Sequence, residues 1–178
     1  VDLINNANKY FWIDKKAEYT EQEKDEFKNL PMLITESGFT GNKDVRYATM
    51  YAAAYTAAAI RQMLGDFMTP RPLAAFAFQP KDGPNQTEGN GWGFLTHESA
   101  GKKPKPRYYI FSFLDAMAGK FVDLRGEGSW VTGFATKKDS TLRILLVNFD
   151  QREKHVETVP VTVTKLTPGT YTYKERWF

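Results

Sequence analysis

The sequence has no cysteine and only two histidines among its 178 residues, His97 and His155. Without cysteine the chain forms no disulfide, thiolate metal site or cysteine nucleophile. Two histidines that lie far apart in sequence argue against a histidine-rich zinc site. A glycine-rich phosphate loop of the Walker or dinucleotide type is also missing. We therefore expect no metal site in this chain.

Strong charge of one sign and long apolar runs are missing too. The chain has 24 Lys+Arg against 21 Asp+Glu, a formal net charge of +3, and only 102–107 is locally basic. A nucleic-acid interface would need Lys and Arg clustered on one face. A membrane span would need roughly 20 apolar residues, and the longest candidate, 48–60, is interrupted by threonine and tyrosine. We expect neither a nucleic-acid nor a membrane partner.

What is present is a globular composition that is rich in aromatic residues. Hydrophobic residues make up 42% and charged residues 25% of the chain, which argues against intrinsic disorder. Aromatic residues make up 15%. Such richness suits a well-filled core and also surfaces that stack on flat ligands such as sugar rings, with core packing the commoner role.

Strand and helix patterns alternate in the first 120 residues. Apolar spacing and capping signals predict helices over 1–13, 20–29, 43–65 and 107–119. Short apolar runs bounded by proline or glycine predict buried strands over 32–35 and 72–78, and a long polar loop over 79–91 follows. Beyond residue 121 the pattern predicts strands over 122–124, 129–136, 141–149, 157–165 and 169–176, with turns over 137–140 and 167–169. We therefore expect two domains, an α/β part over 1–120 and an antiparallel β part over 121–178.

Glu36 is the best single candidate for chemistry. It directly follows the predicted strand 32–35 and precedes Ser37 and Gly38. In α/β barrels the carboxyl ends of the strands hold the catalytic groups, and a carboxylate there is buried on one side and open to a cleft on the other. The alternatives are a surface acid at a strand end and a capping group for the helix predicted over 43–65.

Several short segments resemble clan A glycoside hydrolases, which are (β/α)8 barrels. Residues 30–38, Leu-Pro-Met-Leu-Ile-Thr-Glu-Ser-Gly, resemble the seventh-strand segment, in which a Glu at the strand end is the nucleophile. Residues 73–78 resemble the eighth strand. Residues 92–96 and 103–109 resemble the "G-F-G-L, then K-P-x-Y-Y" passage of the family 39 β-xylosidases. The resemblance implies the C-terminal strand–helix units of a TIM barrel, followed by an antiparallel β-sandwich.

The resemblance also implies a retaining mechanism that needs no cofactor. Glu36 would attack the anomeric carbon, and a second carboxyl about 5–5.5 Å away would act as acid and base. In these families that residue follows an Asn at the end of the fourth strand, but the sequence contains no Asn-Glu pair. Because a barrel needs about 200–250 residues, we expect this chain to be part of a longer or split enzyme. Its partners would be a carbohydrate and the missing N-terminal barrel segment.

Four further residues are candidates for binding the sugar. Phe76 takes the place of the Trp that forms the floor of the sugar site in the family, and Phe78 should face the same side of the strand. Trp92 is a further stacking candidate. Gln79 begins the loop 79–91, whose polar side chains could bind sugar hydroxyls. The other members of this polar set are Asp82, Asn85, Gln86, Glu88 and Asn90.

Two other interpretations compete with a hydrolase. Because the acid/base residue is missing and the eighth-strand Trp is replaced, the chain could be a non-catalytic carbohydrate-binding or structural module. It could also fold independently as a compact α/β domain with a β extension, although two strand–helix units would leave open sheet edges. A polysaccharide hydrolase would be expected to act outside the cell.

Overall fold

The structure, a computed structural model, describes residues 33–64, 74–126 and 128–177. The helices expected over 1–13 and 20–29 lie outside these residues. The described part is a mixed α/β structure with two α-helices and two small sheets. Its helices are α1 (Met50–Leu64) and α2 (Pro106–Ala116), and its strands are β1 (Leu33–Ile34), β2 (Ala74–Ala75), β3 (Lys120–Val122), β4 (Val131–Lys138) and β5 (Thr141–Asn148). Two short 3-10 helices, Val45–Ala48 and Glu98–Ala100, lie between them.

The two predicted N-terminal strands form, but they are short. Strands β1 and β2 pair in parallel, with Leu33 opposite Ala74 and Ile34 opposite Ala75. The expectation that both strands are fully buried is wrong. Ile34 is buried, whereas Leu33 and Phe76 are more than half exposed. A parallel strand is buried only when neighbours and helices cover it, and among the described residues β1 and β2 pair only with each other.

The alanine-rich helix predicted over 43–65 is divided into the 3-10 helix Val45–Ala48 and α1. Thr49 has extended backbone angles (φ −117°, ψ 171°), which separates the two pieces. Alanine favours the helix and allows close approach of a neighbouring element. Four alanines of α1 are buried, namely Ala52, Ala53, Ala57 and Ala58.

Within the described residues, one hydrophobic cluster joins the helices to the antiparallel sheet. Ala53 and Ala57 of α1 pack with Ile110 of α2 and with Val147 and Phe149 at the end of β5. The helix predicted over 107–119 starts one residue earlier, because proline fits the first turn of a helix. The division into two domains remains a prediction, and so does the full barrel.

The C-terminal sheet is an antiparallel meander of β3, β4 and β5. The turn predicted over 137–140 forms, since Lys138 pairs with Thr141 and Asp139 adopts a positive φ of 53°. The strands predicted over 157–165 and 169–176 are wrong, because these residues make no ladder pairs among the described residues. Alternating β-branched residues favour extended backbone, but a strand also needs a hydrogen-bonding neighbour. The sandwich therefore remains a prediction.

Neither described helix is long and apolar enough to cross a lipid bilayer.

Candidate functional site

The carboxyl ends of β1 and β2 lie side by side, because the strands are parallel. Pairing continues beyond the strands: the Phe76 N–H donates to the Ile34 carbonyl (2.8 Å), and the Phe78 N–H donates to the Ser37 carbonyl (3.3 Å). The Ser37 hydroxyl also donates to the Phe76 carbonyl at 3.1 Å. Glu36 on one strand end is thereby brought beside Phe76 and Phe78 on the other.

Glu36 is exposed at this edge, not half-buried as expected. Among the described residues, β1 pairs only with β2, so no further strand encloses the carboxylate. Among the described residues the carboxylate has no hydrogen-bond or ion-pair partner. The helix-capping alternative is wrong, because Asp44 caps the 3-10 helix by accepting from the Arg46 N–H at 2.9 Å.

The predicted aromatic residues present open ring surface at the same edge. Phe76 is 56% exposed and Phe78 is 38% exposed, so core packing does not account for either ring. The half-buried Trp92 lies against Phe78, with ring centroids 5.8 Å apart and planes inclined by 52°. Its indole N–H donates to the Asn42 carbonyl at 3.2 Å. Trp92 can therefore offer a ring face to a ligand but no free donor.

The loop 79–91 is ordered by its own polar side chains. The Gln79 amide nitrogen donates to the Gln86 side-chain oxygen (3.0 Å), which also accepts from the Gly83 N–H (2.8 Å). Gln86 and Asp82 are buried, so neither is one of the loop side chains that could reach a sugar hydroxyl. Buried polar groups need partners inside the protein, and these two side chains have them. Gln79 is half-buried with its amide nitrogen already engaged.

A buried ion pair stabilises this loop, and sequence reasoning missed it. The Lys105 Nζ lies 2.8 and 3.0 Å from the two carboxylate oxygens of Asp82, and it also donates to the carbonyls of Gly89 (3.2 Å) and Gly91 (2.8 Å). Burial lowers the pKa of Lys105, an effect that its contact with Asp82 opposes. The Gly93 N–H donates to Asp82 at 2.8 Å. The pair therefore fixes the backbone on both sides of Trp92.

Arg107 was also missed, and it contacts all three segments of the candidate site. Its guanidinium donates to the carbonyls of Ser37 (2.8 Å), Phe78 (2.9 Å) and Trp92 (3.2 Å). The Nε–H donates to the Thr56 hydroxyl at 3.1 Å. Arg107 is 2% exposed, and burial lowers its pKa.

The basic stretch 102–107 is therefore not the surface run that its composition indicates. Its first two lysines are exposed, but Lys105 and Arg107 are both buried. A signal for Arg107 was its position three residues before Ile110, on the face of α2 that packs inward.

Both histidines have structural partners. The His97 Nδ1 accepts from the Ser99 N–H at 3.2 Å, which begins the short helix Glu98–Ala100. The His155 Nδ1 lies 2.6 Å from the Asp150 carboxylate, and the His155 ring stacks on Trp130. No group of three or more His, Asp or Glu side chains that could hold a metal ion is found among the described residues.

In comparisons with known proteins, no family model matches the chain, and no curated protein matches it.

Proposed function

We propose that the chain is the C-terminal portion of a retaining glycoside hydrolase that cleaves β-glycosidic bonds in oligo- or polysaccharides. One observation carries the proposal. Two parallel strands end side by side, one followed by the solvent-facing carboxylate of Glu36 and the other by the exposed rings of Phe76 and Phe78. A carboxylate beside open aromatic surface is the combination that attack on a stacked sugar requires.

In the proposed reaction Glu36 is the nucleophile. Its carboxylate attacks the anomeric carbon, the bond to the leaving oxygen breaks, and a second carboxyl protonates that oxygen. The same group then removes a proton from the water that hydrolyses the glycosyl-enzyme ester, which restores Glu36. Phe76, Phe78 and Trp92 supply ring faces for the sugar, and Gln79 begins the loop beside them.

The second carboxyl belongs, in this proposal, to barrel strands outside this chain. Parallel strands occur almost only in larger sheets with both faces covered. Among the described residues β1 and β2 form a sheet of only two strands. This supports the proposal that further barrel strands pair with the open edges of β1 and β2. The proposed substrate places the enzyme outside the cell.

Replacing Glu36 by Gln in the complete enzyme tests the nucleophile. With 2,4-dinitrophenyl β-glycosides, whose leaving group needs little protonation, E36Q should lower kcat/KM by about 1,000-fold or more. E153Q is the matched control, because Glu153 is an exposed carboxylate in the turn that follows β5 and has no role in the proposed site. It should keep the activity of the parent enzyme.

A covalent label provides the second measurement. A 2-deoxy-2-fluoro β-glycoside slows breakdown of the intermediate, so peptide mass spectrometry should find the sugar ester on Glu36. Full activity of E36Q, or a label on another residue, would remove Glu36 from the mechanism.

A non-catalytic carbohydrate-binding module is the second candidate. The observation in its favour is that Glu36 is exposed instead of enclosed, while the aromatic surface beside it is open. Binding of β-linked oligosaccharides measured by calorimetry, with no hydrolysis by the complete protein, would favour this candidate.

A further inference from the structure

Arg107 is a buried cation whose partners among the described residues are all neutral. Its hydrogen-bond acceptors are three backbone carbonyls and the hydroxyl of Thr56. The faces of Phe94 and Tyr47 lie 5.2 and 5.9 Å from the guanidinium carbon. A buried charge is expensive unless its environment compensates it. An apolar side chain could fill this space without burying a charge. We therefore expect the hydrogen bonds of the guanidinium to be what this position requires.

The three carbonyls belong to three separate segments of the candidate site. Ser37 directly follows Glu36, and Phe78 and Trp92 are the two rings that contact each other. A guanidinium has five donors in one rigid plane, so it can fix several acceptors relative to one another. A lysine ammonium lacks this planar geometry.

Lys105 provides a comparison within the same protein. It is equally buried, but its charge is matched by the Asp82 carboxylate, and its other acceptors lie within a single loop. Lys105 therefore orders one loop, whereas Arg107 joins the ends of β1 and β2 to the segment around Trp92.

We propose that Arg107 is a positioning residue that sets the spacing between the Glu36 strand end and the Phe78–Trp92 ring pair. It acts through the backbone and does not contact the sugar. The catalytic part of this inference rests on the proposed hydrolase function. A displacement of about 1 Å of a reacting group can lower the rate about 100-fold.

The structural part of this inference is tested without an activity assay, by measuring amide hydrogen exchange in R107A and R107K. Exchange of the Phe76 and Phe78 amides, which join the strand ends, should accelerate selectively, while amides of the β4–β5 ladder stay protected. Millimolar guanidinium, far below denaturing concentrations, should restore protection in R107A. R107K keeps the charge and serves as the second variant if R107A does not fold.

D82N/K105M is the matched control. It removes the other buried cation and substitutes neither Arg107 nor any residue whose oxygen accepts from its guanidinium. It should leave the exchange of Phe76 and Phe78 unchanged. Unchanged exchange at these two amides in both Arg107 variants would overturn the inference, whether or not the protein hydrolyses glycosides.

The kinetic part separates this inference from the proposed function. In the complete enzyme R107A should lower kcat about 100-fold and change KM little, and guanidinium should rescue R107A but not E36Q. An inactive parent enzyme would contradict the proposed function, and the exchange data would still decide the role of Arg107. An active parent with a fully active R107A would overturn the positioning role and leave the hydrolase proposal standing.

Discussion

Replacing Lys105 by Met should destabilise the chain strongly, because it leaves a buried charge without its partner. The Asp82 carboxylate is fully buried and would keep only the N–H of Gly93 as a described donor. The carbonyls of Gly89 and Gly91 would lose their bonds to the ammonium. Methionine fills a similar volume, so the lost charge and hydrogen bonds dominate the effect.

Breaking one partner of a buried ion pair typically costs about 3–5 kcal/mol. The free energy of unfolding of a domain is about 5–15 kcal/mol, so K105M should lose a large fraction of it. In the double variant D82N/K105M the amide oxygen at position 82 can still accept from Gly93, and neither position of the former pair carries a charge. The double variant should therefore be more stable than K105M alone, by about 1 kcal/mol or more.

Urea unfolding followed by tryptophan fluorescence measures these differences. K102M is the control, because Lys102 is an exposed lysine three residues away and should change the free energy of unfolding by less than about 0.5 kcal/mol. The reasoning would be refuted if K105M were as stable as K102M. It would also be refuted if the double variant were less stable than K105M.

Three further perturbations test other parts of the fold. G93A should be strongly destabilised in a thermal melt, since a Cβ there would overlap the Asp82 backbone nitrogen, whereas G41A, with no atom within 4 Å of the added Cβ, should keep the Tm of the parent chain. Burial would raise the pKa of Asp150, but backbone N–H donors and His155 hold it well below the ordinary value. The stabilisation is therefore present above about pH 4 and is lost as the pH falls through the lower folded pKa. The Tm difference between the parent chain and D150N should shrink on acidification, and a constant difference would contradict this. I110A should lose about 2–5 kcal/mol and I110V about 0.5–1.5 kcal/mol in urea unfolding, because Ile110 lies in the shared core. Equal losses would show that the site is not tightly packed.

Local patterns predicted the elements that depend on nearby residues. The alanine-rich segment became α1, and the turn over 137–140 joins β4 and β5. Propensity and turn chemistry act within a few residues, so a single stretch of sequence is enough to predict them. The strands expected over 157–165 and 169–176 were wrong because ladder partners are not a local property.

The candidate site was predicted only in part, for a related reason. Glu36, Phe76, Phe78 and Trp92 were named from strand ends and resemblance. In the fold, Arg107 donates to a carbonyl in each of the three segments that carry them, at Ser37, Phe78 and Trp92. The burial of Lys105 and Arg107 could not be read from a stretch that looks like a solvated basic surface.

The sequence by itself determined the residue types available for chemistry: no thiol, two separated histidines and a carboxylate after an apolar run. It also determined that the alanine-rich segment is helical and that a turn lies over 137–140, since both depend on neighbours along the chain. The tertiary structure alone decided which charges are buried and which rings remain open. Burial depends on residues far apart in sequence, such as Asp82 with Lys105 and Ser37 with Arg107, and only the folded chain places them within hydrogen-bond distance.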